Sequence, residues 1–183
     1  MTEIELLAEQ LNVNERTLRR AVNHGVLRAR RPSPRRLEIP LAEKRYARHA
    51  WPLLAALRAA LRTEGNIRFA LLFGSAARGD DTRRSDVDLL VEMRDDSLDR
   101  VADLSTKLET LTGRRMDVLP LGSAETVPEL LASAIAEGRV LVDRGGHWPR
   151  LQERESSLRR RARGSEKRRR DTALAGIDHM LAT

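Results

Sequence analysis

Seven consecutive residues, Ile67-Arg68-Phe69-Ala70-Leu71-Leu72-Phe73, are apolar at every position but one, and they constrain this chain more than any other feature. So short a continuous apolar run suits a strand buried on both faces better than a helix. Asp86 to Val91 reads as a second strand of this kind. Met116 to Leu119 is a third, stopped by Pro120, and Arg139 to Val142 a short final one. Helical patterns separate them. Ser97 to Leu111 sets Leu98, Val101, Leu104, Leu108 and Leu111 three and four apart. Thr126 with Glu129 matches a capping box opening a helix that runs to Gly138. Strands alternating with helices predict an α/β unit over residues 51–144. A helix over Leu41 to Arg62, broken or kinked at Pro52, leads into it and ends at Gly65-Asn66.

The ends differ from this middle. Residues 1–50 carry 11 basic and 6 acidic side chains, residues 51–144 carry 13 and 16, and residues 145–183 carry 10 and 5. Basic ends suit polyanionic partners, because each cation placed near a phosphate releases condensed counterions. Within residues 1–50, Thr2 and Glu5 form a capping box before the stripe Ile4, Leu6, Leu7 and Leu11. Asn14 is placed to cap a second helix, Glu15 to His24, which stops at Gly25. Val26 to Arg30 and Arg36 to Ile39 read as strands around Pro32-Ser33-Pro34. The extension 145–183 gives no strand signal; its arginine runs suit an exposed helix or a disordered tail, and Leu174, Ile177 and Leu181 return to helical spacing. With no cysteine there is no disulfide or thiolate site, and no apolar run is long enough to span a bilayer. The N-terminus lacks the form of a secretory signal, so a cytoplasmic location without membrane contact is expected. His24, His49, His147 and His179 show no ligand spacing, and Trp51 and Trp148 read as packing residues flanking the α/β block.

The chemistry lies where the first buried strand ends. Gly74 permits a tight turn and a close approach to the main chain. Ser75 and the amides after it open a helix, where phosphate oxygens are favoured. After ten intervening residues comes Asp86-Val87-Asp88. On a strand these two carboxylates point to the same face, while Val87, Leu89 and Val91 fill the other. Paired carboxylates repel unless a cation lies between them, and an all-oxygen pair suits Mg²⁺. Asp117, on the next strand, offers a third carboxylate, to complete the cation site or to accept a proton from an attacking hydroxyl. Arg78 stands where a guanidinium would steady phosphate charge.

Gly74-Ser75, the ten-residue gap, Asp86-x-Asp88 and the strand-borne Asp117, with Ala77-Arg78-Gly79 and Ser85, resemble the polymerase β-type nucleotidyltransferase superfamily and its minimal nucleotidyltransferase (MNT) branch. The resemblance covers about residues 52–144 and implies an α/β (α+β) fold in which a small mixed sheet is flanked by helices. It implies that Gly74 and Ser75 bind nucleotide phosphates, and that Asp86 and Asp88 bind Mg²⁺ (or Mn²⁺) with Asp117 the third acidic member. The segment Leu7 to Arg20, with the hairpin after it, resembles a winged helix-turn-helix of the MerR or excisionase type. On that likeness Arg16, Thr17, Arg19 and Arg20 would face DNA from the second helix, and Arg30, Arg31, Arg35 and Arg36 from the wing.

The expected function is transfer of a nucleoside monophosphate, AMP from ATP, onto an acceptor. Small bacterial relatives serve as antitoxins that AMPylate a HEPN-type toxin, and a DNA-binding module would suit self-regulation of the operon. Other relatives modify aminoglycoside or lincosamide antibiotics or RNA 3′ ends. The rival from another class is a DNA-binding regulator whose transferase-like block only senses nucleotide; three retained carboxylates weigh against it.

Overall fold

A computed structural model describes residues 2–33 and 36–181 of the chain, with side chains through residue 164 except that of Arg36. The capping box forms as predicted. The Thr2 hydroxyl accepts from the Glu5 N–H at 3.3 Å and the Glu5 carboxylate from the Thr2 N–H at 2.6 Å, starting α1 (Glu3–Gln10). The Asn14 carboxamide oxygen accepts from the Thr17 N–H at 2.7 Å and starts α2 (Glu15–Asn23). Gly25 then adopts φ +75°, the left-handed turn that ends the helix.

The hairpin differs from expectation in its first strand. β1 is Arg30–Ser33, paired antiparallel with β2 (Arg36–Glu38), and it starts where the predicted strand was to end. Val26 and Leu27 are instead fully buried. The carbonyls around them face the sheet domain, with Gly25 O accepting from the Val140 N–H at 3.2 Å. The long helix α3 (Leu41–Thr63) is continuous through Pro52, so the proline does not break it.

The second block is built on a four-stranded mixed sheet. β3 (Ile67–Phe73) pairs antiparallel with β4 (Val87–Met93) and, on its other edge, with β6 (Arg139–Asp143). β5 (Met116–Pro120) lies parallel to β4, giving the order β5-β4-β3-β6. Central β3 accounts for the unbroken apolar run: Phe69, Ala70, Leu71 and Leu72 are all completely buried. The short helix α4 (Gly74–Arg78) follows β3, and α5 (Leu98–Thr112) crosses from β4 to β5.

Two elements depart from the sequence reading between β5 and β6. A single turn, α6 (Leu121–Ala124), precedes α7 (Pro128–Glu137). The Thr126 hydroxyl donates to the Ser123 carbonyl at 2.7 Å rather than capping α7. The helix begins at Pro128, whose fixed φ suits a first position. The extension becomes one long helix, α8 (His147–Leu181), so its backbone over that range is helical. Its start is capped by Asp143, whose carboxylate accepts N–H bonds from Gly145, His147 and Trp148 at 3.2, 3.0 and 3.0 Å. Burial raises the Asp143 carboxyl, but the three donors outweigh it and hold it below the ordinary range. Trp51 is buried within α3, and Trp148 packs against the cluster beneath α7.

One buried apolar cluster runs from Ile4, Leu7 and Leu18 through Leu54 and Leu61 to Leu72, Leu89 and Leu141. The helices of the first fifty residues therefore share a core with the sheet. A buried polar knot ties them further. The Arg139 guanidinium, only 2% exposed, bonds both Glu43 carboxylate oxygens and the carbonyls of Ala77 and Val26 at 2.6 and 3.1 Å. It also lies 3.4 Å from the centre of the Tyr46 ring, over its face.

Candidate active site

The turn after β3 is shaped by Gly74. Its φ is +68°, and a Cβ added there would fall 2.1 Å from Oδ2 of Asp88. Only glycine lets the strand end turn this closely against that carboxylate. The next residues are held from below. The Tyr46 hydroxyl donates to Ala76 O at 3.0 Å, Arg139 to Ala77 O, and Gly79 closes α4 in the left-handed conformation. Burial pushes the Tyr46 hydroxyl well above the usual phenol range, so it acts as a donor and not as an acid.

Strand register brings the carboxylates together. Asp88 lies opposite Phe73 on one side and Asp117 on the other. Asp86 stands just ahead of β4, with its Oδ1 3.5 Å from Nε of Arg115. Burial raises the Asp88 carboxyl above its ordinary range, and the charges of Asp117, Asp86 and Glu137 add to that. Like charges have been gathered at one strand end. Among the described residues no three acidic or histidine side chains are drawn in tightly enough to enclose an ion as they stand. The donor set is nevertheless carboxylate oxygen throughout, which fits Mg²⁺, and a divalent cation relieves the repulsion centred on Asp88.

Arg78 is exposed and already engaged: Nε donates to Asp80 at 3.1 Å and Nη1 to Glu137 at 2.9 Å. The other Glu137 oxygen accepts from the Gly74 N–H at 3.1 Å. Glu137, the last residue of α7, therefore bridges both ends of α4. Sequence reasoning missed it, because it lies 63 positions from Gly74 and its local pattern marks only a helix end. Arg114 was missed likewise. Its guanidinium donates to Asp81 at 2.7 Å and to the Ser85 carbonyl at 2.9 Å, pinning the loop that carries the chain from α4 to Asp86.

The basic residues predicted to face DNA do not form one set. Arg16 and Arg30 are exposed, Arg19 pairs with Glu15, and Thr17 is used in the α2 cap, its hydroxyl donating to Asn14 at 2.8 Å. Arg31 donates to the Asn23 side chain at 2.6 Å, while Arg20 lines a cavity against α3. Arg35 and the Arg36 side chain lie outside the described residues, as do the side chains of the Lys167–Arg170 run and His179.

A small mixed sheet with a glycine-serine turn set against aspartates at the ends of neighbouring strands defines a nucleotidyltransferase-type domain. Residues 56–146 match the family described as Polymerase beta, Nucleotidyltransferase, and the chain carries a domain of that family. No curated protein matches the chain. Among solved structures, a toxin-antitoxin crystallised with AMP-PNP superimposes with a TM-score of 0.56 at 20% identity, over 66% of this chain and 98% of that one. Two mutants of the toxin-antitoxin MntA-HpeT give 0.54 and 0.53 at 18% and 21% identity, over 68% and 64% of this chain and 98% and 94% of theirs. At such identities the likeness establishes the fold. No helix among the described residues is long and apolar enough to cross a membrane.

Proposed function

We propose that the chain is a metal-dependent nucleotidyltransferase that moves AMP from ATP onto a protein acceptor, a HEPN-type toxin encoded beside it. The observation that carries this reading is the register that sets Asp88 between the Gly74 turn and Asp117. Asp86, Asp88 and Asp117 would hold Mg²⁺ or Mn²⁺, which when bound would neutralise the triphosphate and favour in-line displacement of pyrophosphate from the α-phosphorus. The chain's own groups do the rest. The Ser75 hydroxyl and the amides of the turn bind phosphate oxygens, and Arg78, released from Glu137, adds a guanidinium. Asp117, the most exposed of the three, accepts the proton of the attacking hydroxyl. The solved toxin-antitoxin with AMP-PNP supports both the nucleotide and the kind of partner. The helix pair and hairpin of residues 1–50 would bind duplex DNA through Arg16 and Arg30, exposed on α2 and β1.

The test is incubation with α-labelled ATP, Mg²⁺ and the product of the adjacent gene. Label should become covalently attached to that protein, and Asp88→Asn should abolish it. If neither the partner nor a cell lysate took label while ATP still altered DNA affinity, the chain would be a nucleotide-sensing regulator.

A further inference from the structure

Between α2, α3 and β6, the sheet edge opposite β5, lies a cavity of about 360 Å³. Its polar lining is Arg20 of α2 and His24 just after it, Arg58 and Arg62 of α3, Asp143 at the end of β6 and Arg144 beyond it. The one acid is committed elsewhere, since Asp143 spends its oxygens on the N–H groups that start α8. Arg144 is committed too, its guanidinium bonded to the carbonyls of Arg62, Glu64 and Ile67. Arg58 is different. Its Nε is buried and has no hydrogen-bond partner among the described residues. Burial, and then the charge of Arg62 one helical turn away, hold the Arg58 guanidinium below its ordinary value. Arg58 is only partly buried as a residue, and a cation held beside a like charge with no counter-charge bonded to it favours an anion.

We propose that this seam is an anion site for a phosphate ester, held jointly by Arg58 and Arg62 of α3 and Arg20 of α2. Planar guanidiniums that bond no other group among the described residues, as those of Arg20, Arg58 and Arg62 do not, match phosphate oxygens, and the volume lies in the range of sites that accept small ligands. The phosphate comes either from a free nucleotide or pyrophosphate, or from the backbone of a nucleic acid lying along α2. In both cases it bridges the N-terminal helices to the helix under the sheet. The proposal stands whether or not the chain transfers nucleotides, because it uses none of the groups around Gly74.

The experiment titrates the full chain, without divalent cation, with inorganic pyrophosphate and separately with a short DNA duplex at several salt concentrations. The variants are Arg58→Met with Arg62→Gln, and Arg94→Gln, an exposed cation just after β4, as the charge control. The double variant should bind pyrophosphate at least tenfold more weakly, with Arg94→Gln unchanged, if the source is free phosphate. If the source is a backbone, pyrophosphate affinity stays the same and the slope of log affinity for DNA against log salt falls by about two. Should the double variant fold poorly, Arg62→Gln alone carries the test, since that side chain is exposed; a threefold loss is then expected. Unchanged affinity for both probes, or an equal loss in Arg94→Gln, would overturn the site.

Discussion

At the scale of single residues, the contact between Gly74 and Asp88 concentrates the chemistry and the cost of the site. Any side chain at 74 meets both a left-handed backbone and a carboxylate oxygen 2.1 Å from its Cβ. Gly74→Ala should therefore destabilise the fold by roughly 2–4 kcal/mol and displace Asp88, abolishing nucleotide binding. Asp88 itself illustrates the converse. Its folded pKa is raised, by burial and then by Asp117 and Asp86, so the folded state binds its proton more firmly than the unfolded state does. The resulting penalty is absent below the ordinary carboxylate range and grows as pH rises through the raised value. Asp88→Asn removes it. The variant should be more stable than the parent by roughly 1 kcal/mol at neutral pH, with the gap closing near pH 3. Urea denaturation at the two pH values measures this, and an Asn variant less stable at neutral pH would mean that Asp88 is not strained by its neighbours.

At the scale of elements, the sheet strands and α1, α2 and α5 could be read from apolar runs and caps, because local patterns and tertiary burial agree there. The site's backbone was legible for the same reason: Gly74, Ser75, Asp86, Asp88 and Asp117 lie at strand ends that the runs themselves locate. What could not be read is what joins elements far apart in sequence. Glu137 meets Gly74 and Arg78 across a helix end, and Glu43 meets Arg139 across 96 positions. Thr126 misled because Pro128, two positions on, opens the helix instead, and Val26 because burial against β6 outranked its strand propensity. The Glu43–Arg139 pair makes an element-scale prediction. Removing one partner leaves the other charged, buried and unpaired. Arg139→Met should thus cost roughly 3–5 kcal/mol, and adding Glu43→Leu should recover part of that loss. A double-mutant cycle in urea decides it; simple additivity of the two costs would mean that the charges do not interact.

At the scale of the whole molecule, charge and core divide the chain differently. Charge separates a basic beginning from a nearly balanced middle, but the apolar core runs without a break from α1 to β6, and α3 itself spans residue 50. Cutting the chain there would split α3 and remove Ile4, Leu7, Leu18, Tyr46 and Ala47 from the shared core, so truncation would test folding as much as recognition. Point substitutions at exposed cations avoid this. Arg16 on α2 and Arg30 on β1 are exposed, and neither takes part in the buried knot around Arg139. If both reach phosphates of a bound duplex, Arg16→Gln with Arg30→Gln should lower the slope of log affinity against log salt by about two, weakening all sequences alike. Nucleotide affinity should stay as in the parent, because Gly74, Ser75 and the three aspartates are untouched. Fluorescence anisotropy with a labelled duplex, repeated across salt concentrations, provides the measurement. A duplex bound equally well by the double variant would move the interface off α2 and the hairpin. The cations of the C-terminal extension, 10 against 5 acids, would then be the next to be substituted.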